Sequence, residues 1–409
     1  MKGSLEIAEE LVKRTEIKES GKKLVLLVMD GLGDIRAAQN GYRTPLEVAQ
    51  TPNLDALAPT CALGRIIPVD YAITPGSGPA HLGLFGYDPR AVEIGRGVME
   101  VVGMGMELRA GDLAARANFC TVKGDVVTDR RAGRPATQAS AEKVRLLQQK
   151  VRKIEDVELI MEPGEGHRFG IIFRGPGLVD GVNDTDPHQD GHAIHEAKAE
   201  APGAEKTARI INKLQKQALE VLKDGHPING MLMRGISSRP AIASMQERMG
   251  LRCAAIATYP MYRGLASLVG MDLLKTGPSV EDEFQTYLDK RDDYDYFFIH
   301  VKPTDEAGED GAPDRKVQAI EAVDKALPML LKGQPEVLAV TGDHSTPCPM
   351  KLHSWHPVPL MLYSPRCGAD GALKFTEAHC NSGSLGIFRA MYLLPLMLAN
   401  GGMLDKFGA

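Results

Sequence analysis

The chain of 409 residues carries 48 Lys+Arg against 53 Asp+Glu, a formal net charge of −5, and 43% of its residues are apolar. At ~150 residues per domain this length suits two or three domains, and the balance excludes bulk nucleic-acid binding, anionic-membrane binding, disorder and collagen-like repeats. The longest apolar runs, Leu24–Met29 and the Pro-interrupted Ala390–Ala399, fall short of the roughly 18 residues that cross a bilayer, so no membrane span is expected.

Met1–Lys18 reads as an amphipathic charged helix, clearest over Leu5–Lys18, and not as an export signal. The expected compartment is the cytoplasm, where Cys61, Cys120, Cys253, Cys348, Cys367 and Cys380 are thiols. No Cys-x-x-Cys pair suggests a zinc knuckle or a redox site. Leu24–Met29 has the apolar run of a buried strand and leads into Asp30. Its turn, Asp30-Gly31-Leu32-Gly33-Asp34, lacks the third glycine of a dinucleotide fingerprint, and no Walker A lysine loop occurs. Further on, Thr74 to His81 places Ser77 between Gly76 and Gly78 at the mouth of a helix. A serine there caps the helix, or, held beside metal ions, loses its proton and attacks phosphorus. Pro75 in place of the first elbow glycine argues against a Ser-His-Asp acyl hydrolase.

From about Ala91 to Pro240 the pattern changes to short strand-like pieces such as Ala117–Val122 and Phe169–Phe173, helices over Ala141–Val151 and Ala204–Lys223, and an Asp/His/Gly-rich loop at Val182–His195. We read 91–240 as a second, α+β domain inserted into a first domain made of 1–90 and 241–409. Arginines gather in this insert: Arg116, Arg130, Arg131, Arg134, Arg168, Arg174, Arg234 and Arg239. Such a run is a solvated face, or a site for a small anion whose oxygens guanidinium matches in pairs. Asp186-Pro187-His188 and His192 add titratable groups in a loop.

The last third alternates again. Strand Tyr296–Val301 leads into Asp305 and Glu309, helix Asp314–Leu331 follows, and strand Val337–Val340 runs into Asp343–His344. His353 precedes strand Val358–Tyr363, and Leu385–Met397 is helix-patterned. Alternation of this kind predicts an α/β fold, a parallel sheet covered by helices on both faces, with ligands at the carboxyl ends of the strands. Asp30, Asp305, Glu309, Asp343, His344 and His353 would then converge on one edge. So many acids repel each other unless divalent cations join them, and mixed oxygen and nitrogen donors suit Mg²⁺, Mn²⁺ or Zn²⁺.

Val28-Met29-Asp30-Gly31, Thr51-Pro52-Asn53-Leu54-Asp55, Thr74 to His81 with Leu84-Phe85-Gly86-Tyr87-Asp88-Pro89, Asp129 to Arg134 and Asp186-Pro187-His188 form one half of a motif series. Thr304-Asp305-Glu306-Ala307-Gly308, Thr341 to Pro347 and His353-Ser354 complete it. Together they resemble the archaeal-type 2,3-bisphosphoglycerate-independent phosphoglycerate mutases of the alkaline phosphatase superfamily, from about Lys23 to about Leu396. The resemblance implies an alkaline-phosphatase-like parallel-sheet sandwich with a smaller inserted substrate-binding domain. It also implies an enzyme that interconverts 3-phosphoglycerate and 2-phosphoglycerate through a phosphoserine, in glycolysis and gluconeogenesis. Ser77 matches the nucleophile; Asp30, Ser77, Asp343 and His344 match one metal site, and Asp305, position 309 and His353 the other. Arg130, Arg131, Arg234 and Arg263 match anchors for phosphate and carboxylate, with Asp186 beside them, and Asp129 and His188 are the nearest groups for proton transfer. Two divalent ions are implied, Mn²⁺ or Mg²⁺, with Zn²⁺ or Co²⁺ as alternatives. The family usually has His where this chain has Glu309, and Asp where it has His356. Two other readings are a phosphotransferase or phosphatase like the homoserine-kinase-like paralogues and a catalytically dead phosphosugar-binding protein; the presence of Ser77 speaks against the second.

Overall fold

The computed structural model describes residues 3–38, 41–92 and 94–408, which leaves Met1 and Lys2, at the head of the expected first helix, outside the described residues. The chain divides into two units, Met1–Val92 with Ile242–Ala409, and Glu93–Ala241.

The first unit is organised by an eight-stranded sheet. Its order is Asp272–Leu273, Cys253–Ala257, Tyr296–Val301, Leu24–Met29, Val337–Thr341, Val358–Tyr363, Cys61–Ile67 and Gly386–Arg389. The central strands are buried throughout and apolar but for His300 and Thr341 near their carboxyl ends, as strands covered on both faces must be. In register, Met29 lies opposite Val301 and Val28 opposite Thr341. The residues that follow, Asp30, Lys302 and Gly342, therefore emerge together at one edge. Helix Pro313–Lys332 starts on a proline and lays Ile320, Val323, Leu327 and Leu330 into the core with Leu27, Phe297, Ile299 and Val340.

One strand runs against the others. Val358–Tyr363 is antiparallel to both of its neighbours. Because it is reversed, the residues just before it share the edge at which the parallel strands end, which is where His353 is needed. The expected single helix over Leu5–Lys18 is two, Ser4–Glu10 and Arg14–Glu19. Val12 leaves the helix to bridge Leu404, and the amide of Lys13 donates to the carbonyl of Met403. The expected helix Leu385–Met397 is an edge strand, Gly386–Arg389, followed by a 3₁₀ turn and helix Leu393–Asn400. The strand's amides pair with Cys61–Ile67, and Pro395 is tolerated because it falls in the first turn of the helix.

The Glu93–Ala241 unit has a six-stranded antiparallel sheet centred on Leu113–Lys123, which pairs with Arg168–Arg174, Gly230–Ser238 and Val126–Asp129. Helices Thr137–Lys150 and Glu205–Leu222 are amphipathic, the latter burying Ile210, Ile211, Leu214, Ala218 and Leu222. Phe119 and Phe169 stack in this core with ring centroids 4.5 Å apart. The register sets Arg116 directly opposite Arg234, a like-charged cross-strand pair that destabilises a sheet unless something compensates it. All six cysteines are free thiols. Among the described residues no helix is long and apolar enough to cross a membrane.

Candidate active site

At the carboxyl edge of the large sheet, two sets of side chains offer donor atoms within 4.8 Å of one another: Asp30, Asp343 and His344, and Asp305, His344 and His353. His344 belongs to both, so the two sets form one continuous centre. Its ring stacks on His353 with centroids 3.6 Å apart, and its Nδ1 is 2.9 Å from Thr346 Oγ1, which in turn donates to Asp305 Oδ1 at 2.6 Å. Gly31, at φ +61°, passes so close that a Cβ there would meet Thr346 Oγ1 at 2.5 Å and Asp305 Oδ1 at 2.7 Å; the turn after the first strand has to be glycine.

Asp30, Asp343 and His344 are fully buried and Asp305 is nearly so. Burial disfavours the Asp30 carboxylate, yet the close approach of His300, with Lys302 and His344, holds its pKa well below the usual range. Burial, and then the Asp30 charge, push Asp343 well above it, while burial holds His344 well below the ordinary imidazole value. Two buried carboxylates side by side compete for the same positive charge. Asp30 Oδ1 and Asp343 Oδ2 are moreover buried without a hydrogen-bond partner among the described residues, a costly state that a cation bound between them relieves. With this mixed carboxylate and imidazole donor set, the residues present fit divalent metal ions.

Ser77 opens helix Ser77–Leu84, after Gly76, and its Oγ lies 3.5 Å from His344 Nε2. The hydroxyl thus stands beside the donor sets and at a helix N-terminus, where backbone amides favour an anion. His353 is held by its Nδ1, 3.0 Å from the Pro75 carbonyl, which ties the loop before Ser77 to the second donor set. Glu309 sits at the rim: its side chain is 55% exposed and its Oε1 is 3.8 Å from His353 Nε2. Burial, and then the neighbouring Asp305, raise its pKa. His356 turns its Nδ1 to Ser354 Oγ at 3.0 Å and belongs to neither set.

In the Glu93–Ala241 unit the expected substrate residues gather around a buried carboxylate. Asp186 accepts from Arg130 Nε and Nη2 at 2.8 and 2.7 Å and from the His188 amide at 2.8 Å, and Arg234 Nε lies 3.6 Å away. The Asp129 carboxylate accepts the amides of Arg131 and Gly133, which closes the turn that carries the arginines. Ala132, Gly133 and Arg134 are all left-handed in this turn, with φ of 48°, 72° and 53°, and His188 is at 62°. Strain of this kind in non-glycine residues is characteristic of functional loops. The turn lines an open cavity of about 820 Å³ with His188, Gln189 and Asp190. Arg130 is committed to Asp186, whereas the exposed Arg131 and Arg134 have guanidinium groups without hydrogen bonds or ion pairs among the described residues. Arg263 is not in this cluster; it lies in the other unit and spends Nη1 on the carbonyls of Ala257 and Leu274.

The sequence reading missed four side chains of the centre. His300 Nε2 is 3.2 Å from Asp30 Oδ2, and His81 Nδ1 is 3.4 Å from Asp343 Oδ2. Burial, then His300, lower the pKa of His81 to about 3, so it is neutral. Lys302 and Tyr262 complete the set, with Lys302 Nζ 3.0 Å from Asp30 Oδ2 and 3.2 Å from the Tyr262 hydroxyl. A signal existed for His300, the single imidazole in the otherwise aromatic and aliphatic run Tyr296–Val301.

A parallel-rich sheet that gathers two overlapping Asp/His sets beside a serine at a helix N-terminus has the build of a metal-dependent phosphoryl-transferring α/β enzyme. The family model described as 2,3-bisphosphoglycerate-independent phosphoglycerate mutase matches residues 58–229. The chain is 53% identical over 387 residues to a Thermotoga neapolitana protein named "Probable 2,3-bisphosphoglycerate-independent phosphoglycerate mutase", covering 95% of this chain and 96% of the relative. Two solved structures are each 30% identical to it. One, a Pyrococcus horikoshii protein, has a TM-score of 0.81 over 95% of this chain and 99% of its own. The other, the cofactor-independent phosphoglycerate mutase of Thermoplasma acidophilum, has a TM-score of 0.73 over 93% and 100%. The chain belongs to the 2,3-bisphosphoglycerate-independent phosphoglycerate mutase family, a family of isomerases.

Proposed function

We propose that this chain interconverts 3-phosphoglycerate and 2-phosphoglycerate by passing the phosphoryl group through Ser77. The observation that carries the reading is the Ser77 hydroxyl 3.5 Å from His344 Nε2, the residue common to both donor sets. Asp30, Asp343 and His344 would hold one divalent ion and Asp305, His344 and His353 the other, with Glu309 at the rim of the second. When bound, such ions act as Lewis acids that lower the pKa of a nearby hydroxyl and neutralise phosphoryl charge.

The chain's own part is placement. Ser77 Oγ loses its proton and forms a bond to phosphorus as the bond from phosphorus to the substrate oxygen breaks; the freed hydroxyl oxygen takes up a proton. The same steps in reverse return the phosphoryl group to the other hydroxyl of the glycerate. Amides at the N-terminus of helix Ser77–Leu84 favour the negative charge on the transferred group. Arg131 and Arg234, with Arg130 fixed by Asp186, bind the anionic end of the glycerate. Asp129 shapes their turn, and proton transfer is assigned to His188, whose Nε2 is 3.6 Å from Asp184 Oδ2.

An enolase-coupled assay on the purified protein, with and without added divalent metal, tests this reading. Metal-dependent conversion of 3-phosphoglycerate and a phosphate mass increment on Ser77 are expected. Phosphate release from generic esters, or phosphorylation of homoserine from ATP, without mutase turnover would overturn it in favour of a paralogous phosphotransferase.

A further inference from the structure

Lys302 occupies an unusual place. It follows strand Tyr296–Val301 directly, its side chain is 18% exposed, and its ammonium is 2.6 Å from Asp305 Oδ2, 3.0 Å from Asp30 Oδ2 and 3.2 Å from the Tyr262 hydroxyl. Asp30 and Asp305 belong to different donor sets, so this one lysine spans the centre. The ammonium also lies over the rings of Tyr259 and Tyr262, 5.6 and 5.5 Å from their centroids, which adds cation–π attraction. Tyr262 is fully buried, stacked on His300 at 3.7 Å, and its hydroxyl neighbours the side chains of Ser77 and Asp30. Lys302 is therefore one hydroxyl away from Ser77.

A lysine that served only to neutralise one buried acid would need one carboxylate. This one is aimed at two and anchored by an aromatic hydroxyl beside the nucleophile. Charge points the same way. Asp30, Asp305 and Asp343 contribute three negative charges and Lys302 one positive. With two divalent cations these groups would leave the centre net positive, and still so with the Glu309 carboxylate at the rim counted, which suits a phosphoryl anion; without Lys302 one of those positive charges is lost.

We propose that Lys302 is a phosphoryl-binding residue, its ammonium donating to a non-bridging oxygen of the group carried by Ser77, and that Tyr262 is its positioning residue. This rests on the reading of Ser77 as the phosphoryl acceptor. No bond is made or broken at Lys302; it supplies a fixed positive charge and a donor where charge builds up.

The test uses the full-length, metal-loaded protein and inorganic phosphate as the probe, with affinity measured by calorimetry and metal content by elemental analysis. Lys302→Met is expected to keep wild-type metal content and lose phosphate affinity by at least ~10-fold, with kcat falling in step. Lys302→Arg should recover part of the affinity. Tyr262→Phe should lower it several-fold while the metal content stays unchanged. Lys302→Gln gives the same comparison if the methionine variant does not fold. Wild-type phosphate affinity in Lys302→Met would overturn the proposal. So would loss of bound metal in that variant, since Lys302 would then build the donor sets. A wild-type protein that binds phosphate through Lys302 but does not convert phosphoglycerate would remove the mutase reading alone.

Discussion

The two units handle charge in opposite ways. In the unit made of Met1–Val92 and Ile242–Ala409, short acidic and imidazole side chains are buried at the ends of adjacent strands, where Asp30, Asp343 and His344 have no solvent exposure. In Glu93–Ala241 the charges are long guanidinium side chains on a strained turn and a half-buried strand, and two of them, Arg131 and Arg134, are exposed. Metal and phosphoryl chemistry needs donors fixed to fractions of an ångström in low dielectric, which strand ends provide. Holding a small anion needs reach and paired donors, which arginines on a turn provide.

The largest expected effect lies in the buried centre. Ser77→Ala removes only a hydroxyl from the first turn of helix Ser77–Leu84, so the fold should survive while mutase turnover falls by at least ~1,000-fold. The phosphate mass increment after incubation with phosphoglycerate should vanish as well. Full activity in this variant would sink the covalent route and leave the buried centre with no assigned chemistry.

On the arginine side a smaller effect is expected, because several cations share the work. Arg131→Ala should lower kcat/KM by at least ~10-fold, about 1.4 kcal/mol, mainly through KM. Arg130→Ala should also cost stability, since it leaves the fully buried Asp186 without its bidentate partner. If Arg131→Ala alters neither kcat nor KM, that turn is a solvated face and the contrast between the units loses its functional meaning.

The legibility of the two regions in the sequence differs for the same physical reason. The apolar runs Leu24–Met29, Tyr296–Val301 and Val337–Val340 are unmistakable strands, so the acids that follow them could be placed at one edge without any structure. His353 could be placed there too, although the reversal of Val358–Tyr363 that puts it on that edge leaves no mark in composition. Lys302 and Tyr262 stayed hidden because a lysine after a strand looks like a solvated turn and a tyrosine on an amphipathic helix looks like core. His344 was read into one donor set, and only three-dimensional geometry shows that it serves both. In the insert, the role of Asp186 as the buried hub of Arg130 and Arg234 depends on pairing between distant segments. Helix boundaries failed at Val12 and Leu385, where bridges to Leu404 and to the Cys61–Ile67 strand override local periodicity.

Glu309 tests how far the buried centre extends. Standing 3.8 Å from His353 and more than half exposed, it would add a hard oxygen donor to the Asp305, His344 and His353 set if it ligates. Activity is expected with Mn²⁺ or Mg²⁺, and Glu309→His should shift preference towards Zn²⁺ or Co²⁺ without abolishing turnover. Glu309→Ala should weaken metal binding several-fold. Chelation followed by single-metal reconstitution of the three proteins measures both, and an alanine variant with unchanged metal content and rate would remove Glu309 from the centre.

The smallest effect concerns a buried acid with no ion-pair partner among the described residues. Glu283, on helix Val280–Lys290, is almost fully buried, its Oε2 has no hydrogen-bond partner, and burial followed by the neighbouring Asp282 raises its pKa to about 9. The unfolded chain releases this proton near the ordinary value of 4.5, while the folded chain keeps it until about 9. The associated stability is therefore complete below the lower value and is lost progressively as pH rises through the upper one. Glu283→Gln, which imitates the protonated acid and cannot ionise, should nearly match wild type in Tm near pH 5 and exceed it by several degrees near pH 8.5. Asp30 behaves differently because His300, Lys302 and His344 surround it. A Tm difference that does not change with pH would mean that Glu283 ionises inside the fold without penalty, and that burial alone does not separate the acids of the centre from the rest.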